Sequence, residues 1–207
     1  MPPSLVLASA SSARALVLER AGLTFKRDPA DIDESIIKRH YQDQEKDAPN
    51  LALNHAEAAA QALANAKALA ISPRHPTAQV IGADQMLVCN GRWFDKPADL
   101  SEAREHLKAL RGQTHELISA ICIAVNDKIV WQHVESTQLT MLSFSDAFLE
   151  TYLERSGSEV LESVGVYRLE GLGPQLFSEI DGNYFAILGL PLLPLLSYLR
   201  DIGVIDQ

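Results

Sequence analysis

Cysteine is scarce: Cys89 and Cys122 are the two in 207 residues, and they form no CxxC pair or Cys/His spacing that would hold zinc. Both lie in apolar, strand-like runs and read as buried free thiols of a reducing compartment. The six histidines are scattered and include no HExxH pair. Gly-x-Ser-x-Gly is missing, no Ser-His-Asp arrangement stands out, and the glycines of a P-loop or dinucleotide fingerprint are absent. Positive charge is in deficit, with a net charge of −9. That excludes a general nucleic-acid binder, whose surface should be basic. It admits a nucleotide substrate, because a few local cations or a bound divalent ion can hold phosphates inside an acidic protein. The longest apolar run, residues 184–196, is too short to span a bilayer and contains Pro191 and Pro194. The N-terminus opens on Leu5-Val6-Leu7-Ala8 without a basic segment and apolar core of a signal peptide. A cytoplasmic location without membrane association is expected.

Apolar residues make up 47% and charged residues 22%, as in ordinary soluble proteins, and the length suffices for one sizeable core or two small lobes sharing one. Residues 5–8 read as a strand, residues 15–21 as a helix closed by Gly22, and residues 24–27 as a short strand. The acids Asp28, Asp31, Asp33 and Glu34 then crowd one loop, either a solvated turn or a source of oxygen ligands for Mg²⁺ or Mn²⁺. Residues 36–50 are polar and read as a connection with at most a short helix. Residues 51–70 form an alanine-rich helix whose thin apolar face lets a neighbour pack closely. Asn90-Gly91 marks a hairpin, Ser101 caps a helix to about residue 110, and residues 116–125 and 129–142 form a long antiparallel pair. A helix over 145–155, a loop to Tyr167, a glycine-punctuated bend at 168–173, a hairpin of 175–179 with 184–188, and a final helix over 192–199 complete the chain. The long antiparallel strands argue against a flavodoxin-like, all-parallel sheet.

The chemistry centres on Val80-Ile81-Gly82-Ala83-Asp84-Gln85. An acid between two apolar runs is costly to bury as a charge without partners, and strand ends in α/β proteins are where ligands bind. A capping or turn aspartate is the plainer alternative. Ser9, Ser11 and Arg14 stand between a strand and a helix, where free N–H groups and a guanidinium can meet a phosphate; a serine cap with a solvated arginine is the structural alternative. Lys67 near a helix end and Lys96 before a proline add cations, and Glu170 sits in the glycine bend. Carboxylates and cations at element ends suit phosphoryl chemistry.

Taken in order, the motifs are Leu-Ala-Ser-Ala-Ser-x-x-Arg, Asp-Ile-Asp-Glu, Ala-x-x-Lys-Ala, Val-Ile-Gly-Ala-Asp-Gln, Asp-Lys-Pro, Leu-Arg-Gly-Gln-Thr-His, Glu-Gly-Leu-Gly and Leu-Gly-Leu-Pro-Leu. The series resembles the Maf family of nucleoside triphosphate pyrophosphatases over residues 5–199. The resemblance implies a single 1–207 domain of α/β class, with a bent central mixed sheet between two lobes and a substrate cleft. It implies hydrolysis of a nucleoside triphosphate to the monophosphate and pyrophosphate with Mg²⁺ or Mn²⁺. It matches Ser9, Ser11 and Arg14 to the phosphate loop, Glu34 and Asp84 to the acids that catalyse and hold metal, and Lys67 and Lys96 to substrate binding. Gln85 and Glu170 resemble the 7-methyl-GTP branch rather than the dTTP/UTP branch, although that branch carries a tryptophan where this chain has Ala13. The expected partner is the nucleotide, with no nucleic acid or membrane; a homodimer stays open. A non-catalytic cell-division module, the role that named the family, is the reading from another class. It has no need of Asp84 together with Glu34.

Overall fold

The strand that carries Asp84 is longer than its sequence suggests. The computed structural model describes residues 4–47 and 51–206, and in it Gln79–Cys89 (β3) is one continuous strand with Asp84 at its middle. The acid therefore does not end a strand. What ends there is the neighbour: β1 (Leu5–Leu7) runs parallel to β3 and stops at Leu7, opposite Ile81.

β1 also pairs in parallel with β2 (Phe25–Arg27). On its other side β3 meets β5 (Thr114–Val125) antiparallel, β5 meets β6 (Lys128–Met141), and β6 meets β7 (Phe177–Asp181). The mixed sheet runs β2-β1-β3-β5-β6-β7, with β4 (Arg92–Phe94) folded back on the end of β3. Asn90 and Gly91, with φ of 51° and 76°, form the two-residue turn expected between β3 and β4. The α/β class read from the sequence holds, as does the long β5/β6 hairpin.

Strand alternation sorts the core. Val80, Met86 and Val88 face α3 (Ala52–Ile71), whose Ala56, Ala60, Leu63, Ala64 and Ala68 pack on them. Ile81 and Ala83 face the other way, against α1 (Ser12–Arg20) and α7 (Leu192–Asp201). A third cluster lies at the far end of β5 and β6, where Leu117, Leu139 and Met141 meet α4 (Leu100–Leu110) and α5 (Asp146–Ser156). The two ends share the long strands, and the cleft lies between them.

Four local expectations are corrected. Glu34–Asp47 is a full helix, α2, rather than a polar connection; residues 48–50 of that expectation lie outside the described ones. Asp33 starts it, since its carboxylate accepts from the Ser35 backbone N–H at 3.0 Å. The cap of α4 is Asp99, which accepts from Glu102 N at 2.9 Å, not Ser101. Tyr184–Ile187 is a short helix, α6, because the Asn183 side chain caps it and β7 takes β6 as its partner. The loop before Tyr167 contains a 3₁₀ helix, Gly157–Glu162.

Candidate active site

A notch in the sheet holds the site. β1 ends opposite Ile81 and β4 joins only at Leu87, so residues 82–86 have no strand neighbour on that edge. The exposed strand edge needs partners. Arg14 supplies one: its Nη1 donates to Ala83 O at 2.9 Å and to Ser9 Oγ at 3.1 Å, and its Nε donates to Gly189 O at 2.8 Å. Arg14 is 9% exposed and forms no ion pair with a carboxylate among the described residues. Burial lowers its pKa, and the charges of Asp84 and Glu34 oppose that shift. A clamped, buried cation without a bonded anion is suited to receive one.

The notch opens into a cleft of about 410 Å³. Its walls include Ser11, Arg14, Glu34, Lys67, Asp84, Gln85, Lys96 and Glu170, so eight of the nine sequence-derived residues converge. Ser9 does not line the cleft; its hydroxyl stands behind Arg14 and accepts from it and from Ser11 N. Its place is to hold the arginine.

On the α3 face of β3, Gly82 lets the helix come close, and the next residue on that face, Asp84, meets Lys67. The Lys67 ammonium lies 2.6 Å from Asp84 Oδ1 and 2.7 Å from Glu34 Oε1, bridging the two acids. Asp84 is 6% exposed. Burial raises the pKa of Glu34, but the Lys67 and Lys38 ammoniums outweigh it and hold the carboxyl below its ordinary value. Burial, together with the charges of Arg14 and Lys67, pushes Lys96 down against the pull of Glu34 and Asp84.

Gln85 points to the opposite face. Its Nε2 lies within 3.1 Å of Ser119 Oγ, Ala186 O and Ile187 O, so its donors are taken and Oε1 is what it offers a ligand. Glu170 Oε1 accepts from Arg168 Nε at 3.0 Å, and Arg168 Nη1 also binds Glu159.

Sequence reasoning missed Lys38, Asp95 and Arg168, which also line the cleft. Lys38 Nζ pairs with Asp95 Oδ1 at 2.5 Å and lies 3.6 Å from Glu34 Oε2. Once residues 34–47 are seen as a helix, Lys38 falls four residues from Glu34 on one face. Burial lowers the pKa of Lys38, but Asp95, Glu34 and Asp84 raise it further.

The donor set fits a hard divalent cation. Glu34 and Asp84 each bring a carboxylate oxygen within reach of a single ammonium, and Mg²⁺ or Mn²⁺ favours oxygen ligands. No group of three or more His, Cys, Asp or Glu able to hold a metal occurs among the described residues. The remaining ligands would then be phosphate oxygens and water, as is usual for Mg²⁺ with a nucleotide. No helix among the described residues is long and apolar enough to cross a membrane.

Comparison with known proteins identifies the family. A family profile described as "Maf-like protein" matches residues 4–202. The chain is 48% identical over 198 residues to a nucleoside triphosphate pyrophosphatase of Paramagnetospirillum magneticum, covering 96% of this chain and 98% of the relative. It is 48% identical over 196 residues to a protein of the same name from Granulibacter bethesdensis, covering 95% of each. It is 44% identical over 206 residues to a 7-methyl-GTP pyrophosphatase of Rhizobium etli, spanning 100% of both.

Proposed function

The chain belongs to the Maf family, and from that premise we propose that it is a nucleoside triphosphate pyrophosphatase that works with Mg²⁺ or Mn²⁺ and prefers 7-methyl-GTP. The observation that carries the reading is the meeting of a buried carboxylate, Asp84, with Glu34 and a set of cations at the sheet notch. Arg14, Lys67 and Lys96 bind the triphosphate. Arg14 is held by three hydrogen bonds and keeps Nη2 for a phosphate oxygen. Glu34 and Asp84 would hold the divalent ion, which when bound neutralises phosphate charge and acidifies water. Asp84 accepts a proton from the attacking water. The water oxygen bonds to the α-phosphorus, the bond from that phosphorus to the α–β bridging oxygen breaks, and pyrophosphate leaves with the electron pair. The low exposure of Asp84 strengthens its electrostatic interactions with these groups.

The base preference rests on acceptors. Glu170 and the Gln85 Oε1 present oxygens to the cleft, and a guanine edge presents N1–H and N2–H₂ donors. A carboxylate also favours the positive charge of a 7-methylated ring over the neutral one. Relatives with the 7-methyl-GTP name support this choice, while others carry the generic name. Rates of pyrophosphate release across 7-methyl-GTP, GTP, UTP, dTTP and CTP test it. The expected result is highest kcat/KM on 7-methyl-GTP, with Glu170→Gln narrowing the 7-methyl-GTP/GTP ratio by about tenfold. A preference for UTP or dTTP would keep the enzyme and reject the base assignment.

A further inference from the structure

Two carboxylates that are read as metal ligands both pair with one of the chain's own cations. Lys67 Nζ sits 2.6 Å from Asp84 Oδ1 and 2.7 Å from Glu34 Oε1. Its side chain is 12% exposed and is held between a buried strand and the first turn of α2. A divalent ion bound through these same two oxygens would need about 2.1 Å to each, which leaves no room for the ammonium between them.

We infer that Lys67 occupies the divalent-cation position until the triphosphate arrives, so that metal enters as the metal–nucleotide complex and not alone. This rests on the reading of Glu34 and Asp84 as the metal's ligands. The exchange is favourable only when both partners come together. Free metal would have to displace a lysine that already neutralises the pair and would leave the displaced ammonium among Arg14, Lys96 and the new ion. With a triphosphate present, the displaced ammonium gains phosphate oxygens as partners, and the added negative charge offsets the cations. Lys67 thus has two successive partners, the acids and then the phosphates. Lys38 stays on Asp95 and does not take the position, since it lies 3.6 Å from Glu34 Oε2.

The test is Mn²⁺ binding to nucleotide-free protein, followed by loss of the free-ion electron paramagnetic resonance signal. Wild type should bind weakly. Lys67→Met, or Lys67→Gln if the first does not fold, should bind about tenfold tighter, the gain expected when a group filling the position nine-tenths of the time is removed. Adding Asp84→Asn should abolish that gain. Lys67→Arg keeps a cation in place and should stay near wild type. Lys96→Met removes an equal charge from the same cleft without vacating the position, and should also stay near wild type. Equal binding by wild type and Lys67→Met, no binding by either, or an equal gain in Lys96→Met would overturn the inference. Pyrophosphate release by wild type, measured in parallel with Mn²⁺, separates its failure from failure of the proposed function: an active enzyme with the wrong binding pattern loses this inference alone.

Discussion

His115 is buried behind Tyr167 of the cleft lining, 1% exposed, with Nε2 2.9 Å from the Tyr167 hydroxyl. Its Nδ1 has no hydrogen-bond partner among the described residues. Burial pushes its pKa from about 6.5 down to about 4, because the charged ring would lose its water without gaining an acid. The folded state therefore refuses a proton that the unfolded chain accepts between those values. Stability from this residue is complete above pH 6.5 and is lost as pH falls toward 4, by about 3 kcal/mol in all. Urea midpoints measured from pH 7 to 4 should drop through that window, and His115→Gln should flatten part of the slope. An unchanged slope in the variant would assign the acid sensitivity to other groups. The cysteines show the same physics: burial raises the Cys122 thiol to about 12, leaving it an inert core residue.

Elements place these side chains through one close approach, that of α3 to β3. A methyl group at Gly82 would run into the Ala64 carbonyl oxygen and lie 2.8 Å from Ala68 Cβ. Both are parts of a packed helix that cannot swing aside like a long side chain. Gly82→Ala should therefore cost about 2 kcal/mol of stability, read as a lowered denaturation midpoint. It should also reduce kcat under conditions where the variant stays folded, because Lys67 moves with α3. Full activity in a destabilised variant would separate the helix position from the chemistry. The alanine-rich face of α3 was legible in the sequence because small residues recur at helical spacing. α2 was not, because its surface is mostly polar: Ile37 packs against the core while Ile36 is 66% exposed. Missing α2 hid Lys38. α6 escaped notice because four residues carry too little periodicity to separate a helix from a strand.

On the scale of the whole molecule, a protein of net charge −9 gathers Arg14, Lys38, Lys67, Lys96 and Arg168 around one cleft. Glu34, Asp84, Asp95, Glu162 and Glu170 line the same cleft, so its wall is balanced in charge while the chain as a whole is acidic. The ordered motifs made most of the candidate site legible, because all but one of the short runs bring a residue to the same cleft; the run at residues 110–115 does not. What they left unread was the notch itself. It depends on where β1 ends and β4 begins against β3, and such register is a property of pairing, not of any one segment. For the same reason Asp84 resembled a strand-end residue while lying mid-strand, and Ser9 resembled a phosphate ligand while bracing Arg14. The most direct measurement is product release from 7-methyl-GTP and GTP with Mn²⁺, by wild type and by folded Asp84→Asn. The account predicts pyrophosphate and monophosphate in equal amounts from wild type, and a rate at least about 100-fold lower from the variant. Orthophosphate as the product, no release by folded wild type, or an undiminished rate in Asp84→Asn would contradict it.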